Sequence, residues 1–202
     1  MNKHEKYSNK KYDEIALIYD DTYEGQYTAK FKEKMLDLCG VADGDKVLDV
    51  GCGNGSLIKA ISRKANIEAY GVDISPNMIA ECRKKFENIS FEVSSGEQLS
   101  FNDGSVDTVT ICCVLHHLNN AQNFVKEAHR ILKQGGVLII GEPWFPWGLR
   151  HIFNVIISPF MKSGDNKVFS HKRLKKLSGS VGFALTETYK KGNVQIIKAR
   201  KI

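Results

Sequence analysis

Residues 47–55 read Val-Leu-Asp-Val-Gly-Cys-Gly-Asn-Gly, and this stretch constrains the chain more than any other. Val47 to Val50 is a short apolar run with β-branched residues, and the turn-rich Ala42-Asp43-Gly44-Asp45 precedes it. Such a run reads as a buried strand. Gly51, Gly53 and Gly55 follow at alternate positions. Glycine permits positive φ and lets a ligand approach bare backbone. Ser56 to Ala65 then reads as a helix with Leu57, Ile58 and Ile61 on one face. Strand, glycine turn and helix in succession aim backbone N–H groups at a bound ligand. The spacing is Gly-x-Gly-x-Gly, and dinucleotide sites use Gly-x-Gly-x-x-Gly. Asp49 lies in the strand, two residues before the first glycine. A carboxylate there would repel a pyrophosphate but can accept a hydrogen bond from an ammonium group. The pattern therefore favours a cationic, nucleoside-bearing ligand over NAD.

The same alternation continues downstream. Glu68 to Val72 predicts a second strand, ending at Asp73-Ile74-Ser75-Pro76. Asp73 lies about 20 residues beyond the glycine turn, where an acidic residue at a strand end can hydrogen-bond ribose hydroxyls. Its two oxygens suit a vicinal diol. A helix-capping role is the other reading of Asp73. Ser75, with Pro76 at the first helical position of Asn77 to Phe86, can supply that cap and leave Asp73 to the ligand. Ile89 to Val93 predicts a third strand, followed by the turn Ser94 to Leu99. Val106 to Val114 predicts a fourth, buried on both faces. Leu115-His116-His117-Leu118 follows it, where open α/β sheets place their chemistry. Either histidine can serve as a general base or simply orient its surroundings. As metal ligands they are poorly suited, because sequence neighbours point apart and no third ligand is evident. Cys112 and Cys113 read as small buried hydrophobes. Asn123 to Lys133 predicts an amphipathic helix stopped by Gly135-Gly136, and Val137 to Ile140 a fifth strand. Alternating strands and helices imply a parallel sheet with helices on both faces. Phe183 to Tyr189 and Val194 to Arg200 predict a terminal hairpin around Lys191-Gly192-Asn193.

Four stretches stand in a definite order: VLDVGCGNG at 47–55, GVDIS at 71–75, VDTVTICCVLHHL at 106–118 and EAHRILKQGG at 127–136. Together they resemble the class I S-adenosylmethionine-dependent methyltransferases, in particular the quinone- and sterol-type enzymes with a methyltransferase domain of type 11. The resemblance runs from about residue 30 to residue 142. It implies a Rossmann-like, doubly wound, seven-stranded, mostly parallel sheet with an antiparallel last strand. It implies one domain over 1–202: a helical cover at 1–40, a cofactor-binding core at 41–142, and an acceptor-side segment with the hairpin at 143–202. It implies S-adenosylmethionine as cofactor, S-adenosylhomocysteine as product and no metal. The positions it assigns to the cofactor are Tyr19, Asp49, Gly51, Cys52, Gly53, Asn54, Asp73, Ile74, Ser95, Gly96, Glu97 and Cys112. Ser95 stands where the family often has aspartate. A hydroxyl accepts from an adenine amino group more weakly, and the Gly96 backbone can help. The helical segment around Tyr12 to Asp20 is expected across the cofactor mouth, with Tyr19 near the site and the other tyrosines packed on the domain. A helix from Phe31 to Cys39, stopped by Gly40, follows.

After the fifth strand the character changes. Glu142-Pro143-Trp144-Phe145-Pro146-Trp147 leads into Gly148 to Met161, where Arg150 and His151 are the only basic groups. Trp144 and Trp147 are expected to wall an acceptor pocket, and Glu142 to contact an apolar or amphiphilic acceptor. Aromatic segments of this kind also meet membrane surfaces. Ser163 to Phe169 reads as loop, and Ser170-His171 opens a helix through Leu177 with its basic cluster outward.

The net charge of +6 raises nucleic acid as a partner, but the lysines are spread along the chain. Base-amino methylation resembles Asn/Asp-Pro-Pro-aromatic at the end of strand four, and pyrimidine carbon methylation Pro-Cys. Ile111-Cys112-Cys113-Val114 matches neither. Five cysteines without a Cys-x-x-Cys pair suggest reduced thiols and a cytoplasmic protein. Met1 to Asn9 is polar, without a signal core, and no run approaches the roughly 18 apolar residues of a spanning helix. The expected reaction is methyl transfer to a small acceptor by in-line displacement. Proximity and alignment alone can supply about 7–11 kcal/mol of such a barrier. The rival readings are a nucleic-acid or protein methyltransferase and a non-catalytic binding module. Intact Gly51, Gly53 and Asp73 weigh against the last.

Overall fold

The computed structural model describes residues 3–158 and 167–202. Two helices, α1 (Lys3–Ile15) and α2 (Tyr23–Leu38), flank a 3-10 turn at Ala16–Asp21. The alternating core follows: β1 (Lys46–Val50), α3 (Ser56–Ile61), β2 (Glu68–Asp73), α4 (Pro76–Lys85), β3 (Ser90–Val93), β4 (Val106–Cys112), α5 (Ala121–Ile131) and β5 (Leu132–Pro143). Helix α6 (Trp147–Ile152) runs into a π-turn at Phe153–Ile157, and α7 (His171–Gly179), β6 (Phe183–Lys191) and β7 (Val194–Lys201) complete the chain.

The seven strands lie in the order β3-β2-β1-β4-β5-β7-β6, and β7 is antiparallel to both its neighbours. The expected Rossmann-like architecture is therefore present. Strand order reverses between β1 and β4, which makes the crevice at their carboxyl ends the natural ligand site of the sheet. Register places it there. Val50 pairs with Val72 on one side and Ile111 on the other, so β1, β2 and β4 end level. The glycine turn, Asp73 and Cys112 consequently share one edge.

Strand residues alternate between faces, and β1 shows the consequence. Leu48 and Val50 join Val109, Ile111, Phe124, Ile131 and Leu138 in one apolar cluster. Val47 joins Phe31, Met35, Leu57, Ile58, Ile61 and Ile79 in the other. Helix α2 thus belongs to the body of the protein: Phe31 and Met35 are completely buried.

The element boundaries depart from the sequence reading in several places, among them α3, which ends at Ile61 rather than Ala65, and β5, which is longer than Val137–Ile140. The cover consists of two helices broken at Thr22, and α2 begins eight residues before Phe31. Thr22 Oγ1 accepts from Gly25 N at 3.1 Å and donates to Tyr19 O at 2.6 Å, a side-chain cap that closes one helix end and opens the next. Gly25 permits it, since a Cβ there would lie 2.0 Å from Tyr19 O. Helix α5 stops at Ile131, ahead of the glycine pair, and Gly135-Gly136 fall in the irregular start of β5, where the β4 register shifts. Strand β4 stops at Cys112 because Cys113 takes φ 55°. The segment Gly148 to Met161 and the loop expected from Ser163 lie partly outside the described residues. Among the described residues no helix is long and apolar enough to cross a membrane.

Removing the α2 anchor measures how strongly the cover is attached. Phe31→Ala is expected to lower stability by about 3–5 kcal/mol, the range for a buried phenylalanine truncation. Urea unfolding checks it, and a loss below about 1 kcal/mol would mean that α2 is not packed on the sheet as described.

Candidate functional site

A cavity of about 380 Å³ opens at the carboxyl ends of β1, β2 and β4, beneath the cover formed by α1, the 3-10 turn and α2. Its floor is the glycine turn. Gly51 and Cys52 donate their N–H groups to Val72 O at 2.8 and 3.0 Å, which folds the turn back onto β2. Gly51 has φ 66°, and a Cβ there would lie 2.3 Å from Val114 Cγ2. Gly53 has φ 52°, and nothing stands within 4 Å of where its Cβ would be. The first glycine is required for packing. The second leaves an open cradle on the cavity side.

Asp73 closes this floor. Its Oδ2 accepts from Gly53 N and its Oδ1 from Ser75 N, each at 2.9 Å. Burial raises its pKa, and the backbone donors partly oppose that rise. Ser75 does the capping, as expected: its Oγ accepts from Met78 N at 3.1 Å. The same hydroxyl donates to Asp13 of α1 at 2.7 Å, and Asp13 also accepts from Asn77 N at 2.9 Å. Asn9 donates to Ile74 O at 2.8 Å. These bonds pin α1 over the β2–α4 junction. The 3-10 turn is tied to the glycine turn by the hydrogen bond from Asn54 to Asp20.

Of the expected cofactor residues, Tyr19, Gly51, Cys52, Gly53, Asp73, Ile74, Ser95, Gly96 and Cys112 line the cavity. Tyr19 is buried and bonded to Thr28 Oγ1 at 3.3 Å, and burial pushes its phenol well above the ordinary range. Asp49, Asn54 and Glu97 are not among the lining residues. Asp49 lies beneath the turn, where its Oδ1 accepts from Thr110 Oγ1 at 2.7 Å. Its pairing across β1 and β4 turns it into the helix-covered face of the sheet, and burial pushes its pKa up to about 7. Asn54 holds Lys32 Nζ at 3.1 Å as well as Asp20. Glu97 accepts from Asn120 N at 2.8 Å at the start of α5.

The opposite wall carries the histidines. Both His116 and His117 are buried and line the cavity. His116 Nδ1 is 2.7 Å from Glu142 Oε2, and Glu142 Oε1 accepts from Leu115 N at 2.9 Å. Glu142 is completely buried and absent from the lining, so the expected direct acceptor contact is replaced by contact with His116. His117 lies 3.2 Å from Ser8 Oγ and 3.3 Å from Tyr12 OH, which ties it to α1.

The tryptophan wall is likewise corrected. Trp147 is 74% exposed and stacks on His151, because Pro146 starts α6 with that side chain directed outward. Trp144 packs under Lys190, whose Nζ is 3.5 Å from the ring centroid. Neither lines the cavity, and Phe145 and Phe153 do so instead, with centroids 6.2 Å apart. Tyr12 and Tyr27 also line it unforeseen, Tyr27 held by Asn193 at 3.0 Å. The seven-residue spacing of Tyr12 and Tyr19, whose rings lie 6.3 Å apart, was the available signal.

The floor suits a nucleoside: an open glycine cradle, a carboxylate at the strand end, and the Ser95–Gly96 turn beside them. Among the described residues no cluster of three His, Cys, Asp or Glu side chains could hold a metal ion. All five cysteines are buried free thiols.

Comparison with known proteins bears on this geometry. Residues 48–140 match a family model described as a methyltransferase domain. The chain is 33% identical over 146 residues to the demethylmenaquinone methyltransferase of Tropheryma whipplei, covering 69% of this chain and 60% of the relative. It is 30% identical over 173 residues to the uncharacterized protein MJ1252 of Methanocaldococcus jannaschii, covering 84% and 62%. The chain thus spans about 60% of the length of these curated relatives. Its fold matches a chain of the complex containing the Haloferax volcanii Trm112 methyltransferase activator, with TM-score 0.81, 19% identity and coverage of 94% and 96%. It also matches the [4+2]-cyclase SpnF, with TM-score 0.79, 15% identity and coverage of 96% and 94%. At such identity these structures show a common fold alone.

The buried Asp49 makes a prediction of its own. Its folded pKa of about 7 lies above the ordinary aspartate value, so the folded protein binds more protons than the unfolded chain between about pH 4 and pH 7. Its contribution is fully favourable below that window and is lost as pH rises through it, on the order of 4 kcal/mol in all. Asp49→Asn is therefore expected to gain on the wild type between about pH 5 and about pH 8 in urea unfolding. A constant stability difference across that range would contradict the assignment.

Proposed function

The chain belongs, through residues 48–140, to the methyltransferase domain family, and on that premise we propose that it transfers a methyl group from S-adenosylmethionine to a small apolar or amphiphilic acceptor. The observation that carries the reading is the division of one cavity. The glycine turn and Asp73 form one wall, and Phe145, Phe153 and His116 stand on the other side. When bound, S-adenosylmethionine supplies an electrophilic methyl group on a sulfonium.

The chain's own residues do the rest. Asp73 receives the ribose hydroxyls while keeping its bonds to Gly53 and Ser75, since each carboxylate oxygen has more than one acceptor site. The Gly51–Gly53 turn, whose N–H groups are held by Val72 O and Asp73, would offer backbone carbonyls to the ammonium of the amino-acid portion, and Ser95 with Gly96 would receive the adenine. Tyr19 and the cover helices exclude water. Glu142 holds His116 at Nδ1, and a histidine so oriented could serve as general base toward a hydroxyl of the acceptor. Aromatic rings at Tyr12, Tyr27, Phe145 and Phe153 suit a ring-bearing acceptor. The demethylmenaquinone methyltransferases among the relatives support that class. Most of the acceleration comes from holding two reactants in line.

Isothermal titration with S-adenosylmethionine, S-adenosylhomocysteine and NAD tests the cofactor. Both adenosyl ligands are expected to bind and NAD to fail. Asp73→Ala is expected to weaken adenosyl binding by about 10- to 100-fold, the range for losing a hydrogen bond to a charged group. Absence of adenosyl binding by the wild-type protein would overturn the reading in favour of a non-catalytic module.

A further inference from the structure

The segment that carries Phe145 and Phe153 into the cavity has a second face. Trp147, Leu149, Ile152, Val155, Ile156 and Ile157 are between 45% and 74% exposed, six large apolar side chains within eleven residues. The segment is pinned to the body: Asn154 accepts from Val168 N at 2.8 Å and donates to Val168 O at 3.1 Å. The apolar face is therefore held outward at the acceptor end of the cavity. Single exposed apolar residues are ordinary, but a contiguous group marks an interaction site.

The segment's own ionisable side chains are basic. Residues 143–158 contain no Asp or Glu, and Arg150 and His151 are their only titratable groups. Lys190 lies over the Trp144 ring, Lys167 precedes the pinned Val168, and Lys172 and Arg173 are exposed in the first turn of α7. An apolar segment with a tryptophan and basic rather than acidic side chains has the composition of a helix lying in a lipid interface. Self-association through this segment would bring Arg150 and His151 of two copies together, whereas anionic headgroups complement them.

We propose that α6 and its π-turn dock on an anionic lipid bilayer, presenting the acceptor end of the cavity to the membrane. This rests on the amphiphilic acceptor proposed above, because such a molecule partitions into the bilayer and reaches Phe145 and Phe153 without crossing water.

Vesicle co-sedimentation of the full chain tests the proposal, using phosphatidylcholine vesicles with and without phosphatidylglycerol. Binding is expected to the phosphatidylglycerol vesicles, and raising salt is expected to weaken it. The double variant Ile152→Ser, Ile156→Ser, whose side chains are already exposed and so do not threaten folding, is expected to bind at least about tenfold more weakly. S-adenosylhomocysteine binding by that variant is expected to stay unchanged. Failure of the wild-type protein to sediment with anionic vesicles, or equal binding by the double variant, would overturn the docking. A wild-type dimer that the double variant splits into monomers would also overturn it, in favour of a second copy as occupant. Adenosyl binding without vesicle binding sinks the docking alone; vesicle binding without adenosyl binding sinks the methyltransferase reading alone.

Discussion

One buried carboxylate organises the site. Asp73 joins the glycine turn after β1 to the start of α4 by accepting from Gly53 N and Ser75 N at once. Without it, two backbone donors at the sheet edge would lose their partners, and a buried unpaired N–H costs about 1–3 kcal/mol. Around that pair the rest is assembled. Ser75 caps α4 and reaches Asp13, so the cover helix α1 is set by the same junction that sets the turn. The carboxylate stays in the cavity wall, where burial has already raised the energetic cost of its charge. A ligand offering hydroxyl donors there lowers that cost.

A second buried carboxylate organises the opposite wall. Glu142 is completely buried and does not line the cavity, yet it fixes His116 at one ring nitrogen and Leu115 at its backbone. The cavity thus has two fixed sides, one built by the β1–β2 junction and one by the β4–β5 junction. Helix α1 bridges them: Asn9 and Asp13 reach the first side, Ser8 and Tyr12 the second. Such a cover can admit ligands by local opening, since α1 contributes few large buried apolar side chains.

The sheet and the edge that carries the glycine turn and Asp73 were legible because they follow from local rules. An apolar run, a glycine that must take positive φ, and a serine–proline helix start each declare themselves within a few residues. The helix ends of the cover were not, since Thr22 and Gly25 act through a cap and a close approach that periodicity does not report. The aromatic wall of the cavity was legible as a segment but not as side chains. From Trp144 to Phe153 every aromatic is equally apolar, and which ones face inward depends on where Pro146 starts the helix. Glu142 illustrates the same limit. A carboxylate after a strand reads as a contact for ligand until register shows that its partners are His116 and Leu115. Asp49 reads from the sequence as a ligand contact, and only the register shows that its Oδ1 also accepts from Thr110 on the neighbouring strand.

The most direct measurement is a crystal structure of the protein with S-adenosylhomocysteine. The account predicts the ribose hydroxyls on Asp73, the adenine beside Ser95 and Gly96, and the thioether facing the space bounded by His116, Phe145 and Phe153. A ligand bound elsewhere, or bound in the cavity with its ribose away from Asp73, would contradict it.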